Sequence, residues 1–196
     1  MSRSISIAAS CECRRRGTRQ SAGQEATVNG WGYNSRVVPT PKAKRWQDSA
    51  SETVQVVLPN DSNPLGFILG GTVMHLIDIT GAIACHRHTN MLALTAGVDS
   101  LDFIHPIKVG DLIILKSRVT CVFQTSLEVE VEVFSEAIQS GERKLTSKAY
   151  LTFVSLDQNG KPAKVPPLLI ETPEDEQRCR EAQERRAERL KRKAGA

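Results

Sequence analysis

Residues 59–83 read PNDSNPLGFILGGTVMHLIDITGAI, and this stretch decides the fold. A polar loop containing Asn63 leads to the glycine pair Gly70 and Gly71, after which an apolar helix is predicted. Backbone N–H groups at a helix start carry partial positive charge, and glycines there let a ligand approach them closely. Apolar residues cover nearly the whole circumference of this helix, which predicts that it is buried. They are Val73, Met74, Leu76, Ile77, Ile79, Ala82 and Ile83.

One carboxylate, Asp78, interrupts the apolar helix. A lone Asp in such surroundings is costly unless it is hydrogen-bonded or functional. The functional interpretation is a general base or a nucleophile at a carbonyl carbon, and the structural one is a carboxylate that bonds a neighbouring loop.

Two further features of this stretch have paired interpretations. The Asn63 side chain could orient water or substrate, or it could be an ordinary turn residue in the polar cluster at 60–64. The N–H groups of Gly70, Gly71 and Thr72 could stabilise an oxyanion. The alternative for the glycine pair is close packing of the helix on a strand, and both can hold.

Five segments are predicted as strands, one before the helix and four after it, at 53–58, 92–104, 111–123, 126–137 and 144–156. In the fourth, apolar residues alternate with Glu128, Glu130 and Glu132, which predicts a strand with its glutamate face in solvent. Short connections favour antiparallel neighbours. The pattern therefore predicts an α+β domain in which one helix packs on one antiparallel sheet.

Charge is distributed unevenly along the 196 residues. The net charge is +4, but residues 1–50 hold seven Arg and two Lys against three acidic residues. We expect residues 1–50 to be a disordered basic extension and residues 51–170 to be the folded domain. Residues 171–196 should form a charged, solvated helix, with Thr172 as its N-cap and Pro173 as its first helical residue.

Several function classes are disfavoured by what the sequence lacks. It has no apolar run of the roughly 20 residues that a membrane span requires, and no P-loop or dinucleotide-binding glycine motif. Its five cysteines are irregularly spaced, which predicts free thiols, no metal site and a reducing, cytoplasmic location. The Arg14–Arg16 cluster permits only a weak nucleic-acid interpretation, so no nucleic-acid partner is expected.

The order of these motifs resembles the acyl-CoA thioesterase family with the hotdog fold, specifically the bacterial short-chain and brain-type acyl-CoA hydrolases. Asn63, the Gly70-Gly71 pair and Asp78 match its first motif. The resemblance continues through VDSLDFIHPIKVGD at 98–111 and GKPAKVP at 160–166, and covers about residues 53–193.

The resemblance implies a long antiparallel sheet wrapped around one central helix, and hydrolysis of acyl-CoA to a free acid and CoA. Asp78 would be the base or nucleophile, Asn63 would orient water or substrate, and no metal or other cofactor would be needed. The family also implies a homo-oligomer, with a dimer as the site unit and possibly a trimer of dimers. Positions matched near the CoA channel, or cationic beside it, are Ser126, Arg143 and Lys148.

Two alternatives remain open at this point. Another hotdog enzyme, such as a 3-hydroxyacyl dehydratase, would favour a His as its working base, and the Asn63 and Asp78 pair argues against it. A non-catalytic acyl-CoA-binding sensor would bind the thioester without turnover and use the basic tail or the C-terminal helix as a partner surface.

Overall fold

A 20-residue helix, α1 (Gly70–Thr89), lies against a five-stranded antiparallel sheet. The strands are β1 (Ser51–Val56), β2 (Leu92–Phe103), β3 (Leu112–Val122), β4 (Ser126–Glu136) and β5 (Arg143–Leu156), in the order β1-β3-β4-β5-β2. A second helix, α2 (Pro173–Ala194), ends the chain. The structure is a computed structural model that describes residues 42–195. It confirms the predicted α+β arrangement, with strand bounds within two residues of those expected.

The core lies between α1 and the inner face of the sheet. Val73 and Ile77 of α1 are buried there with apolar residues that alternate along the strands. Gly81 lets the helix approach closely, because a Cβ atom at this position would lie 3.1 Å from the ring of Phe153. The strand residues of this face include Leu115, Val129, Val131, Val133, Leu151 and Phe153.

The prediction that α1 is buried on all sides is wrong for a single chain. Met74, Ile79 and Ile83 are 47%, 42% and 36% exposed. At about 100° per residue, Met74 and Ile83 lie at opposite edges of the helix side that faces away from the sheet, with Ile79, the exposed His75 and the half-buried Asp78 between them. A single subunit therefore leaves three apolar side chains of α1 uncovered, on a surface that also carries a histidine and one carboxylate.

Two of the three alternating glutamates on β4 do not face solvent as predicted, while the Glu132 side chain remains 36% exposed. Glu128 and Glu130 are only 1% and 2% exposed, because α2 packs across the outer face of the sheet. The Arg185 guanidinium donates to both carboxylate oxygens of Glu128, at 2.9 and 2.8 Å. The alternating pattern separates the two faces of β4 correctly. It does not reveal what covers the glutamate face, because the arginines of α2 lie about 55 residues further along the chain.

Helix α2 is therefore not the lightly packed, solvated helix that was expected. Arg189 pairs with the buried carboxylate of Asp99, and Cys179 forms a disulfide with Cys121 of β3. The prediction that Cys121 is a free thiol is thus wrong. The predicted N-cap is confirmed, since the Thr172 hydroxyl accepts a hydrogen bond from the backbone N–H of Asp175.

The folded body begins before residue 51. Lys44 forms a bridge with Leu168, and Trp46 packs on the core and lies 3.9 Å from the Arg118 guanidinium carbon. The rest of the expected N-terminal extension, residues 1–41, lies outside the described residues. Within residues 42–195 there is no helix both long and apolar enough to cross a membrane.

Candidate active site

The loop before α1 holds Asn63 in a defined position. The Asn63 side-chain oxygen accepts hydrogen bonds from the N–H groups of Leu65 (2.9 Å) and Phe67 (3.2 Å), while the Asn63 N–H donates to the Phe67 carbonyl at 2.8 Å. The turn interpretation of Asn63 is therefore confirmed. Its side-chain NH₂ makes no hydrogen bond with any residue among 42–195, so both of these donors remain available to a ligand.

The start of α1 offers unpaired backbone donors. The Val73 N–H, bonded to the Leu69 carbonyl at 3.1 Å, makes the first helical hydrogen bond, and the N–H groups of Gly70, Gly71 and Thr72 precede it. A Cβ atom at Gly71 would meet nothing within 4 Å in the described chain, and one at Gly70 would make an ordinary 3.5 Å contact with a ring. Close packing within one chain therefore does not account for the glycine pair.

Asp78 is held from the neighbouring strand. The Thr95 hydroxyl of β2 donates to Oδ1 of Asp78 at 2.5 Å, which fixes the carboxylate and leaves its second oxygen for other contacts. The sequence gives no indication of this contact. A threonine inside a predicted strand carries no signal of function, and its contact with Asp78 is made only by the tertiary fold.

One chain does not join these groups into a single contact. Asp78 lies eight residues after Gly70, about 12 Å further along the helix axis at 1.5 Å per residue. Among the described residues, the Asp78 side chain bonds Thr95 and neither Asn63 nor the helix start.

The three candidate CoA contacts are not gathered in one chain. Ser126 pairs with Val154 at one end of the β4–β5 ladder and Arg143 pairs with Glu136 at the other, about 36 Å apart along the strand. Ser126 contributes to a separate surface cavity of about 140 Å³.

Both cations among these candidates already have acidic partners. The Arg143 Nη2 lies 2.5 Å from Oε2 of Glu136, and the Lys148 Nζ lies 2.9 Å from Oε2 of Glu130. Burial acts to lower the pKa of Lys148, but its hydrogen bond and ion pair with Glu130 outweigh burial and raise it above its ordinary value. For Glu130, burial acts to raise the pKa of the carboxyl group. The ammonium group of Lys148 outweighs burial, so this pKa lies below its ordinary value. A role for these residues in CoA binding stays a prediction.

Comparison with known proteins adds a family to this geometry. A family model described as Thioesterase superfamily matches residues 65–142. A Bacillus subtilis protein named as an uncharacterized acyl-CoA thioester hydrolase, YkhA, is 39% identical over 154 residues, which cover 79% of this chain and 90% of that protein. The cytosolic acyl coenzyme A thioester hydrolase of Mus musculus is 34% identical over 76% of this chain, which spans only 39% of the longer mouse protein.

Solved structures agree with these relatives. An apo-hexameric acyl-CoA thioesterase superposes with a TM-score of 0.74 at 38% identity, covering 78% of this chain and 98% of that one. An acyl-CoA hydrolase from Staphylococcus aureus, in complex with butyryl coenzyme A, coenzyme A and coenzyme A disulfide, gives a TM-score of 0.73 at 32% identity, covering 78% of this chain and 93% of that one.

Alanine variants of the Staphylococcus aureus enzyme share a spacing with this chain. Each of three structures carries one replacement, at an Asn, an Asp or a Thr. The Asp lies 15 positions after the Asn, and the Thr lies 17 positions after the Asp. In this chain Asn63, Asp78 and Thr95 have the same two separations.

Proposed function

The chain belongs to the thioesterase superfamily, and from this we propose that it hydrolyses acyl-CoA thioesters to a carboxylic acid and CoA. The observation that carries the proposal is the coincidence of an Asn, an Asp and a Thr at the spacing of the three residues replaced in the Staphylococcus aureus enzyme. Identity of 32% to the Staphylococcus aureus acyl-CoA hydrolase, over 93% of that chain, supports the same activity.

Each group would have a separate task. Asp78 deprotonates the attacking water, or itself attacks the thioester carbonyl carbon, and the Thr95 hydroxyl holds its carboxylate in place. The free NH₂ of Asn63 orients the water or the substrate. The N–H groups at the start of α1 stabilise the oxyanion, where one such donor is worth on the order of 3 kcal/mol in the transition state. Water is the only co-substrate, and the reaction uses no cofactor.

We also propose that the site is completed between two subunits, with Asp78 from one and Asn63 from its partner. The apolar surface around Asp78 on α1 supports this, because such a surface is usually covered in the working protein. Strand β2 lies at the edge of the sheet with Leu92 and Leu94 exposed, so it too can join a second copy. The named hexameric thioesterase fits such pairing, and a trimer of dimers is the assembly we propose.

A cytosolic location is part of the proposal, since the Mus musculus relative is named as cytosolic. Disulfides are rare in that compartment. The Cys121–Cys179 disulfide of the structure is therefore an observation that counts against this location.

The test is thiol release from butyryl-CoA by the wild-type chain, by Asp78→Asn and by a control, Asp102→Asn, which neutralises an exposed carboxylate on β2. We expect Asp78→Asn to lose roughly a hundredfold or more in kcat while still binding butyryl-CoA, since general-base catalysis is worth that much. The Asp102→Asn control should retain wild-type kcat. A wild-type chain that binds a panel of acyl-CoAs but releases no thiol would refute hydrolysis in favour of a binding protein.

A further inference from the structure

A cavity of about 330 Å³ opens beside the start of α1, between that helix and the segment that follows β2. Its walls are mainly apolar and include Ile68, Val73, Phe103 and Ile107. The volume is many times the roughly 30 Å³ that one water molecule occupies in the liquid. Gly70 lines the same cavity, so the space adjoins the backbone donors at the helix start.

Two polar side chains, the hydroxyl of Ser147 and the imidazole of His105, line this otherwise apolar cavity. Ser147 of β5 is 2% exposed, lies opposite Val133 on the inner face of the sheet and lines the cavity. Its side chain makes no hydrogen bond with any residue among 42–195. The hydroxyl of the adjacent Thr146, by contrast, donates to the Val133 carbonyl at 3.0 Å.

The Ser147 oxygen is not among the fully enclosed polar atoms without a partner, so a molecule in the cavity can reach it. Ser147 is therefore placed for a polar group that enters the cavity with a ligand. If the thioester oxygen sits at the N–H groups of Gly70 to Thr72, the acyl chain leaves the same carbonyl carbon directly beside the cavity. The ring of Phe103, 3.5 Å from where a Cβ on Gly70 would lie, forms the wall at that point.

We propose that this cavity receives the acyl group, and that Ser147 makes the enzyme favour acyl groups bearing a hydroxyl or keto oxygen over plain alkyl chains of equal length. The inference rests on the proposed function. A pocket that hydrogen-bonds a substrate oxygen discriminates against the analogue that lacks it, because the polar group of the pocket is then left unpaired.

The experiment compares kcat/KM for 3-hydroxybutyryl-CoA and butyryl-CoA, measured by thiol release. The wild-type chain should favour the hydroxylated substrate. Ser147→Ala should lose on the order of tenfold in kcat/KM for 3-hydroxybutyryl-CoA while keeping its value for butyryl-CoA. The control is Ser155→Ala, which removes a fully buried, unpaired hydroxyl from the same strand outside the cavity and should leave the substrate ratio unchanged. Thermal unfolding checks that both variants fold.

Two results would overturn the inference. The first is a ratio of kcat/KM for the two substrates that Ser147→Ala leaves unchanged. The second is an equal loss of kcat/KM for both substrates, together with weaker inhibition by free CoA. That result would mean that Ser147 contacts the CoA portion of the substrate. A binding measurement tests the inference separately from the proposed function. The dissociation constants of the two acyl-CoAs are measured for the Asp78→Asn variant and for the double variant that also carries Ser147→Ala. A preference for the hydroxylated ligand that Ser147→Ala abolishes supports the inference even without turnover.

Discussion

At the scale of single residues, the hydrogen bond from Thr95 to Asp78 makes a direct prediction. Thr95→Ala removes the only side-chain donor to Asp78 among the described residues, so the carboxylate loses its fixed position. A hydrogen bond to a charged group is worth about 1.5–3 kcal/mol, which predicts a loss in kcat on the order of ten- to a hundredfold with a smaller change in KM. Steady-state thiol release measures both constants.

The conservative variant Thr95→Ser is the control, because it keeps the hydroxyl and should retain most of the wild-type kcat. If Thr95→Ala and Thr95→Ser are equally active, the hydrogen bond has no role in positioning Asp78. If both are equally impaired, the methyl group of Thr95 matters and the hydroxyl does not.

The same three residues show what a sequence alone can locate. Asp78 is a candidate on sequence alone because a carboxylate inside an apolar helix is unusual, whereas Asn63 lies in an ordinary turn cluster and is a candidate only through the resemblance to the thioesterase family. Thr95 resembles any other strand threonine, and only the packing of β2 beside α1 gives it a partner. Ser147 is hidden for the same reason, since the sequence does not report whether a hydroxyl has a hydrogen-bond partner.

At the scale of elements, the attachment of α2 to the sheet depends on the pair Arg185 and Glu128. Glu128 is 1% exposed, and Thr120 donates to it as well at 2.7 Å. Arg185→Ala would leave this buried carboxylate without its cation, which typically costs 3–5 kcal/mol. We therefore predict that Arg185→Ala lowers the free energy of unfolding by about 3 kcal/mol, measured by urea denaturation of the full chain.

Arg180→Ala is the matched control, because Arg180 lies on the exposed side of α2 and pairs with Glu176 in solvent. Its effect should stay below about 1 kcal/mol. Adding Glu128→Gln to Arg185→Ala should restore part of the lost stability, since the unpaired charge is then removed. Equal effects of Arg185→Ala and Arg180→Ala would contradict a buried ion pair.

The elements themselves followed from the sequence more closely than their surroundings did. Periodicity and turn residues place all five strands and both helices, because these signals are local. The same signals cannot report what covers a face. The glutamates of β4 look solvent-exposed until an arginine of α2, Arg185, is brought over Glu128.

At the scale of the whole molecule, the exposed apolar side of α1 is the feature that a single chain leaves unexplained. The apolar pattern correctly predicted that this helix prefers burial, but it did not report that a single chain covers only one side of it. Asp78 lies in that surface while Asn63 lies on the loop at the start of the helix. A symmetric dimer brings the same two surfaces together twice, so each interface would contain two complete sites.

Subunit mixing tests this arrangement. Asp78→Asn and Asn63→Ala chains, each inactive alone, are co-expressed with different affinity tags and purified through both. If each site takes Asp78 from one chain and Asn63 from its partner, a heterodimer contains one intact site and one doubly substituted site. Thiol release should then recover to about half of the wild-type activity per heterodimer. If both residues act within one chain, every site keeps a defect and the mixed assembly stays as inactive as its parents.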